Sequence, residues 1–288
     1  MHNPTRRNRK TGTSAQGHGQ DNRDRVPRRW EYSRDEWVRA PPYTLVRRQI
    51  GPRSIPFLVE PTLTGCVHPC TVDDIATVLR ALPEEVMHGM GEEFDYHGGI
   101  RGIVLRQPTR KEMQLNPVWG RLRYSTQVDF AQGPIILLES QPIPLIVDWG
   151  RHLAADEVLE LERLTRFADD VQTHKRGTRL TFHPEGCRRV MLYHTLLHEL
   201  GHSMDMMNKV DLPSLEGDEE ADWESLFDCY FARPVREREE YAHGMADHLR
   251  EKLESQGVIP FDPIAPLEKR YIPNQVQVVT LFALARKT

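Results

Sequence analysis

From Glu185 to Asn208 the chain reads EGCRRVMLYHTLLHELGHSMDMMN, without a proline and, after Gly186 at its start, with Gly201 as its one internal break. Met, Leu and Glu favour helix, so this stretch predicts one long helix. Met191, Leu192, Leu196 and Leu197 make it a buried one. A buried helix that carries His198, Glu199 and His202 constrains the whole fold, because each polar group left unpartnered in a core costs about 1–3 kcal/mol. The rest of the chain has to bring something to meet those side chains.

What that partner is follows from spacing. On an α-helix, residues four apart differ by about 40° in direction and about 6 Å along the axis. His198 and His202 therefore leave one face on successive turns and can converge on one ion. Zn2+ takes His nitrogens at about 2.0–2.1 Å, and a catalytic site uses three protein ligands and an open position. Glu199, next to the first histidine, is placed to act as general base toward a water there. Gly201 removes a side chain beside the pair and lets another backbone element approach. His194, a turn earlier, could pair with His198, but without a glutamate in the reactive position it reads as a packing residue or a support for the other histidines.

The third ligand has to come from elsewhere. GDEEADWESLFDCYFARP combines carboxylates with an apolar face. Glu224 is the expected metal ligand, and Asp228, one turn on, a partner for a ligating histidine's free N–H. Glu220 is the alternative, and Asp218 with Asp222 a weaker third version. Trp223, Phe227, Tyr230 and Phe231 would pack this helix on the core. Tyr241 and His243 are candidates for stabilising an oxyanion by residue type alone, and an exposed helical face is the plainer reading of both.

HELGHSMD followed by ESLFDCYFARP resembles the gluzincin group of zincin-type zinc metallopeptidases, nearest to lethal factor-like catalytic domains. The likeness rests on His198, Glu199, Gly201, His202 and Asp205, then Glu224, Asp228 and Tyr230, and does not extend beyond roughly residues 185 to 235. It implies one Zn2+ on His198, His202 and Glu224, Glu199 as general base and proton shuttle, a sheet edge that aligns an extended substrate, and peptide or protein as substrate. The tyrosine that lethal factor-like domains carry just ahead of the ligating glutamate has no counterpart here.

Elsewhere the pattern predicts an α+β chain: a small mixed sheet packed on the histidine-bearing helix and on a following glutamate-bearing helix. Thr71 and Asp74 form a capping-box pattern before Ile75, Val78, Leu79 and Leu82. A strand is expected near Thr44–Gln49, and further strands in GIRGIVLRQ, GRLRYSTQVDF, GPIILLES, IPLIVDW and TRLTFHP. GPIILLES is the candidate for the substrate-pairing edge. LAADEVLELERLTRFADDVQTH reads as one amphipathic helix of four or five turns. Helices are also expected over Asp218–Ala232, stopped by Pro234, and over VREREEYAHGMADHLREKLES, stopped by Gly257.

Residues 1–29 form a basic tail, 30–150 an α+β part with the sheet, and 151–288 a mainly helical part with the histidines. The net charge of -4 hides an asymmetry: eight Lys/Arg against two Asp in residues 1–30 give +6, which leaves -4 minus 6, or -10, for the remainder. With one aliphatic residue beyond its Met, the tail cannot offset its ordering entropy and is expected to be disordered. It lacks aromatic platforms for bases, so nucleic acid is the less favoured partner. No run of about 18 apolar residues suggests a membrane span, and the expected compartment is the cytoplasm. Four cysteines make no disulfide framework. Cys66, His68 and Cys70 in CVHPC could form part of a structural zinc site, although their spacing is one residue too wide, and metal-free thiols are the simpler reading. Oligomeric state has no signature in the sequence.

Overall fold

A computed structural model describes residues 32–33, 36–37, 43–88, 90–91, 99–108, 113, 118–128, 131–216 and 223–265. Among these the chain is a mixed α+β fold built on a five-stranded mixed sheet. Its strands are β1 (Thr44–Ile50), β2 (Arg53–Val59), β3 (Gly102–Arg106), β4 (Gly120–Val128) and β5 (Ala131–Glu139), in the spatial order β1-β2-β3-β5-β4. β2, β3 and β5 run parallel, while β1 and β4 pair antiparallel at the two sides. Parallel strands need crossovers and are covered on both faces, so they read as continuous apolar runs. That is the pattern of β3 and β5, whose Ile103, Val104, Leu105 and Ile135–Leu138 are all buried.

The same pattern corrects one expectation. GPIILLES forms most of β5, an interior strand hydrogen-bonded on both sides, and the edge beside it is β4. Four consecutive buried apolar residues belong to an interior strand, because an edge strand leaves one side to solvent.

Helix α1 (Val72–Ala81) begins as its sequence requires. Thr71 Oγ1 accepts from Asp74 N at 3.0 Å, and Asp74 Oδ2 accepts from Thr71 N at 2.8 Å. Its buried Ile75, Val78 and Leu79 belong to one core cluster with Phe57, Ile103, Ile136, Leu196, Leu200 and Leu249, so sheet, histidine-bearing helix and C-terminal helix share a single interior.

A second, three-stranded antiparallel sheet is formed by β6 (Leu145–Gly150), β7 (Asp170–His174) and β8 (Gly177–Phe182), in the order β6-β8-β7. The helix between β6 and β7, α2 (Ala155–Thr165), is shorter than its sequence pattern suggests. DDVQTH turns out to be strand β7, paired with β8 across a tight turn that Gly177 closes at φ +143. A Cβ at Gly177 would lie 1.9 Å from the Trp149 carbonyl oxygen, so only glycine fits there.

The long helical stretch runs from α3 (Pro184–Val190) through α4 (Leu196–Met206), with π-helical turns at Met191–Thr195 and Met207–Asp211. After it come α5 (Trp223–Ala232) and α6 (Val235–Ser255), separated by Pro234. Gly257, at φ +67, follows the end of α6. Arg188, fully buried, locks these layers together. Its guanidinium donates to Asp74 Oδ1 of α1 at 3.1 Å, to Glu185 at 2.8 Å and to the Phe261 carbonyl at 3.0 Å. Among the described residues no helix is long and apolar enough to cross a membrane.

Candidate metal centre

The π turn at Met191–Thr195 leads directly into α4: Leu196 N–H donates to the Met191 carbonyl, one residue wider than α pitch. α4 then places His198 and His202 on one face, with ring centroids 4.6 Å apart. Leu196, Leu197 and Leu200 fill the core side. The buried, histidine-bearing helix is therefore as its sequence dictates.

What meets the two imidazoles is α6. Gly201 makes this possible, since a Cβ there would lie 2.7 Å from the Ala242 carbonyl oxygen and 2.9 Å from Ala242 Cα. The two backbones touch at a point where any side chain would hold them apart. A second tie acts at the start of α6: buried Asp205 pairs with Lys209 and, at 3.1 Å, with Arg233 at the end of α5. Arg233 also reaches Glu237 at 3.4 Å. The α5–α6 corner is thus anchored to the end of α4, and α6 lies across the histidines.

Glu239 of α6 faces both of them. Its Oε2 is 3.3 Å from His198 Nε2, and its Oε1 is 3.5 Å from His202 Nε2. The histidine side chains are 13% and 12% exposed and that of Glu239 is 44% exposed, so the cluster opens to solvent on the carboxylate side. One turn further along α6, His243 sets its ring 4.3 Å from that of His198. His198, Glu239 and His243 each offer a ligand atom within 4.8 Å of the other two.

His198, Glu239 and His243 form a group that could hold a divalent ion, and His202, 3.5 Å from Glu239, stands outside that group. Ligand bonds of about 2.0–2.1 Å in a tetrahedron put donor atoms roughly 3.3–3.4 Å apart. The two Glu239 contacts, one from each carboxylate oxygen, are close to that separation and exceed the roughly 2.7–2.9 Å of a strong charge-assisted hydrogen bond. The electrostatics are those of a carboxylate flanked by imidazoles. Burial opposes charge on Glu239, yet His198 and His202 outweigh it and hold its carboxyl well below the usual range. Burial also opposes charge on His202, and Glu239 and Glu199 outweigh it and raise its pKa. The His243 imidazole is pushed down to about 3, by burial first and then by His198, and so stays in the neutral form that binds metals.

Glu199, between the two histidines in sequence, reaches the sheet with one of its oxygens. Buried, its Oε2 accepts from Leu122 N of edge strand β4 at 2.6 Å. Tyr124, two residues along β4, is buried with its ring 6.2 Å from that of Tyr230 and 4.9 Å from that of Phe231. Burial raises the Tyr124 phenol well above its ordinary pKa, and Tyr230 and the Glu199 charge add to the rise.

The remaining expected residues fall as follows. Glu224 lies exposed in the first turn of α5, and Asp228 is exposed on the same helix; the carboxylate set against the two imidazoles is that of Glu239 instead. Asp218, Glu220 and Asp222 lie outside the described residues. Phe227 and Tyr230 pack α5 on the core as expected. Tyr241 turns from the histidines to the second π turn, where its hydroxyl accepts from Asn208 Nδ2 at 3.3 Å and its ring lies under Lys209. His194 meets Glu160 of α2 at 3.2 Å. In CVHPC, His68 donates to the Glu60 carbonyl at 2.7 Å, and none of the four cysteines is in a disulfide.

Glu239 escaped sequence reasoning, although a signal existed. Glu239 and His243 are four apart in REREEYAHG, the same spacing that marks His198 and His202. Two such pairs on separate helices are what a shared ion would require. No family profile, curated protein or solved structure matches the chain.

Proposed function

We propose that the chain is a zinc-dependent metallopeptidase of zincin type, with His198, His202 and Glu239 holding one Zn2+ and Glu199 as general base. The observation that carries this reading is the separation of Glu239 from both imidazoles, which suits an ion better than a direct hydrogen bond. When bound, Zn2+ would polarise a scissile carbonyl and bring the pKa of a bound water to about 7. The chain's own residues supply the rest. Glu199 keeps one oxygen on the Leu122 amide, which fixes the carboxylate and leaves Oε1 to take a proton from the attacking water. The same carboxyl then gives that proton to the leaving amine as the C–N bond breaks. The outer side of β4, which supplies Leu122, is where an extended peptide would add as a further strand. Glu239's solvent-facing side gives a route in.

A second reading has a specific observation in its favour. The group whose ligand atoms lie within 4.8 Å of one another includes His243, and His202 joined to it would make four protein ligands, the mark of a structural zinc site that cross-links helices. Glu199→Gln separates the two. With zinc content and melting unchanged and cleavage of a peptide library abolished, the enzyme reading stands. If zinc-loaded wild type cuts no member of the library, the structural reading replaces it.

A further inference from the structure

We propose that His243 is a fourth protein ligand of the same ion, so that the resting centre is closed and His243 is the ligand that must leave before another molecule can bind the metal. The inference rests on the metal-binding part of the function proposed above and holds for either reading of it. Three observations support it. The ligand atoms of His198, Glu239 and His243 lie within 4.8 Å of one another, a grouping that includes His243 and leaves out His202. Glu239 and His243 stand on adjacent turns of α6, as His198 and His202 do on α4, so two helices each present two donors across the Gly201–Ala242 contact. Finally, the Nδ1 atoms of His198, His202 and His243 are buried and without a hydrogen-bond partner. A ligating histidine ordinarily donates its second nitrogen to a carboxylate, a carbonyl or a water. Among the described residues no protein group takes that part here, which leaves the place to water.

The surroundings also give His243 somewhere to go. Its ring stacks parallel to that of His194, with centroids 6.0 Å apart, and His194 is held by Glu160. A rotation of the His243 side chain toward His194 and Glu160 would free one coordination position.

The test uses the full chain loaded with Zn2+ or Co2+, as wild type and as His243→Phe, a variant that keeps ring volume and removes the nitrogens. X-ray absorption at the zinc edge counts imidazoles: three are expected in the wild type and two in the variant. Competition with a chromophoric chelator should show a loss of affinity greater than about 100-fold, beyond the roughly 10–100-fold that losing an outer hydrogen-bond partner costs. With Co2+ bound, acetohydroxamate should shift the visible spectrum at lower concentration in the variant than in the wild type. Two imidazoles in the wild type, or a variant of undiminished affinity, would overturn the role of His243 while leaving a His198, His202 and Glu239 site intact. Equal or tighter acetohydroxamate binding by the wild type would overturn the closed resting state. A wild type that takes up no metal would remove the function proposed above as well.

Discussion

Gly201→Ala tests the geometry on which the centre depends. The added methyl would sit 2.7 Å from the Ala242 carbonyl oxygen, where ordinary contact begins at 3.4 Å, so α4 and α6 must separate by 3.4 minus 2.7, or 0.7 Å, at that point. The obstacle is backbone on both sides and has no rotamer to give. Overpacking of this kind costs about 1–3 kcal/mol. Alanine's higher helix propensity returns about 1 kcal/mol, which leaves a net loss of roughly 0–2 kcal/mol in the metal-free protein. The effect on metal binding should be disproportionate. Ligand distances tolerate only about 0.2 Å, and Glu239 and His243 flank Ala242 on the displaced helix. Zinc affinity should fall at least about tenfold, or 1.4 kcal/mol, with the secondary structure content kept. Gly201→Ser should do more harm than Gly201→Ala. Urea denaturation of the metal-free protein and chelator competition on the folded protein measure the two effects separately. Zinc affinity within about twofold of wild type would refute the argument that α6 supplies ligands across this contact.

Three further outcomes are expected. Glu239→Ala should lose the bound zinc, whereas Glu224→Ala should retain it, as measured by metal content after gel filtration; the reverse result would restore Glu224 as the third ligand. Arg188→Met removes the partner of Asp74 in a fully buried pair and should cost about 3–5 kcal/mol in urea denaturation. His68 is fully buried, and burial pushes its imidazole down to about 4, only partly opposed by its bond to the Glu60 carbonyl. Below pH 6.5 the unfolded chain therefore binds a proton that the folded chain refuses. This contribution to stability is complete above pH 6.5 and is lost as pH falls toward 4, by up to on the order of 3 kcal/mol at about 1.36 kcal/mol per pKa unit. His68→Gln should flatten the stability profile between pH 4 and 6.5, and an unchanged slope there would show that other groups set it.

Sequence alone determined what depends on neighbours along the chain. The Thr71–Asp74 cap, the helix that carries His198, Glu199 and His202 on adjacent turns, and a close approach at Gly201 all follow from contacts no more than about four residues long, or from a missing side chain. Apolar patterning likewise marked most strands. It contained the interior position of β5 as well, since Ile135 to Leu138 form an unbroken apolar run, although pairing to a substrate was the first use suggested for them.

Only tertiary structure decided which carboxylate meets the imidazoles and which amide meets Glu199. GDEEADWESLFDCYFARP and VREREEYAHG both offer glutamates at helical spacing, and local rules rank the nearer, more aromatic segment first. The choice falls to Glu239 because Asp205 fixes the α5–α6 corner through Arg233, and because the Gly201–Ala242 contact brings the α6 backbone against α4. The Leu122 amide reaches Glu199 because β4 is the edge strand beside that helix. Both are contacts between segments far apart in sequence, set by how whole helices and sheets pack, and no short-range pattern carries that information.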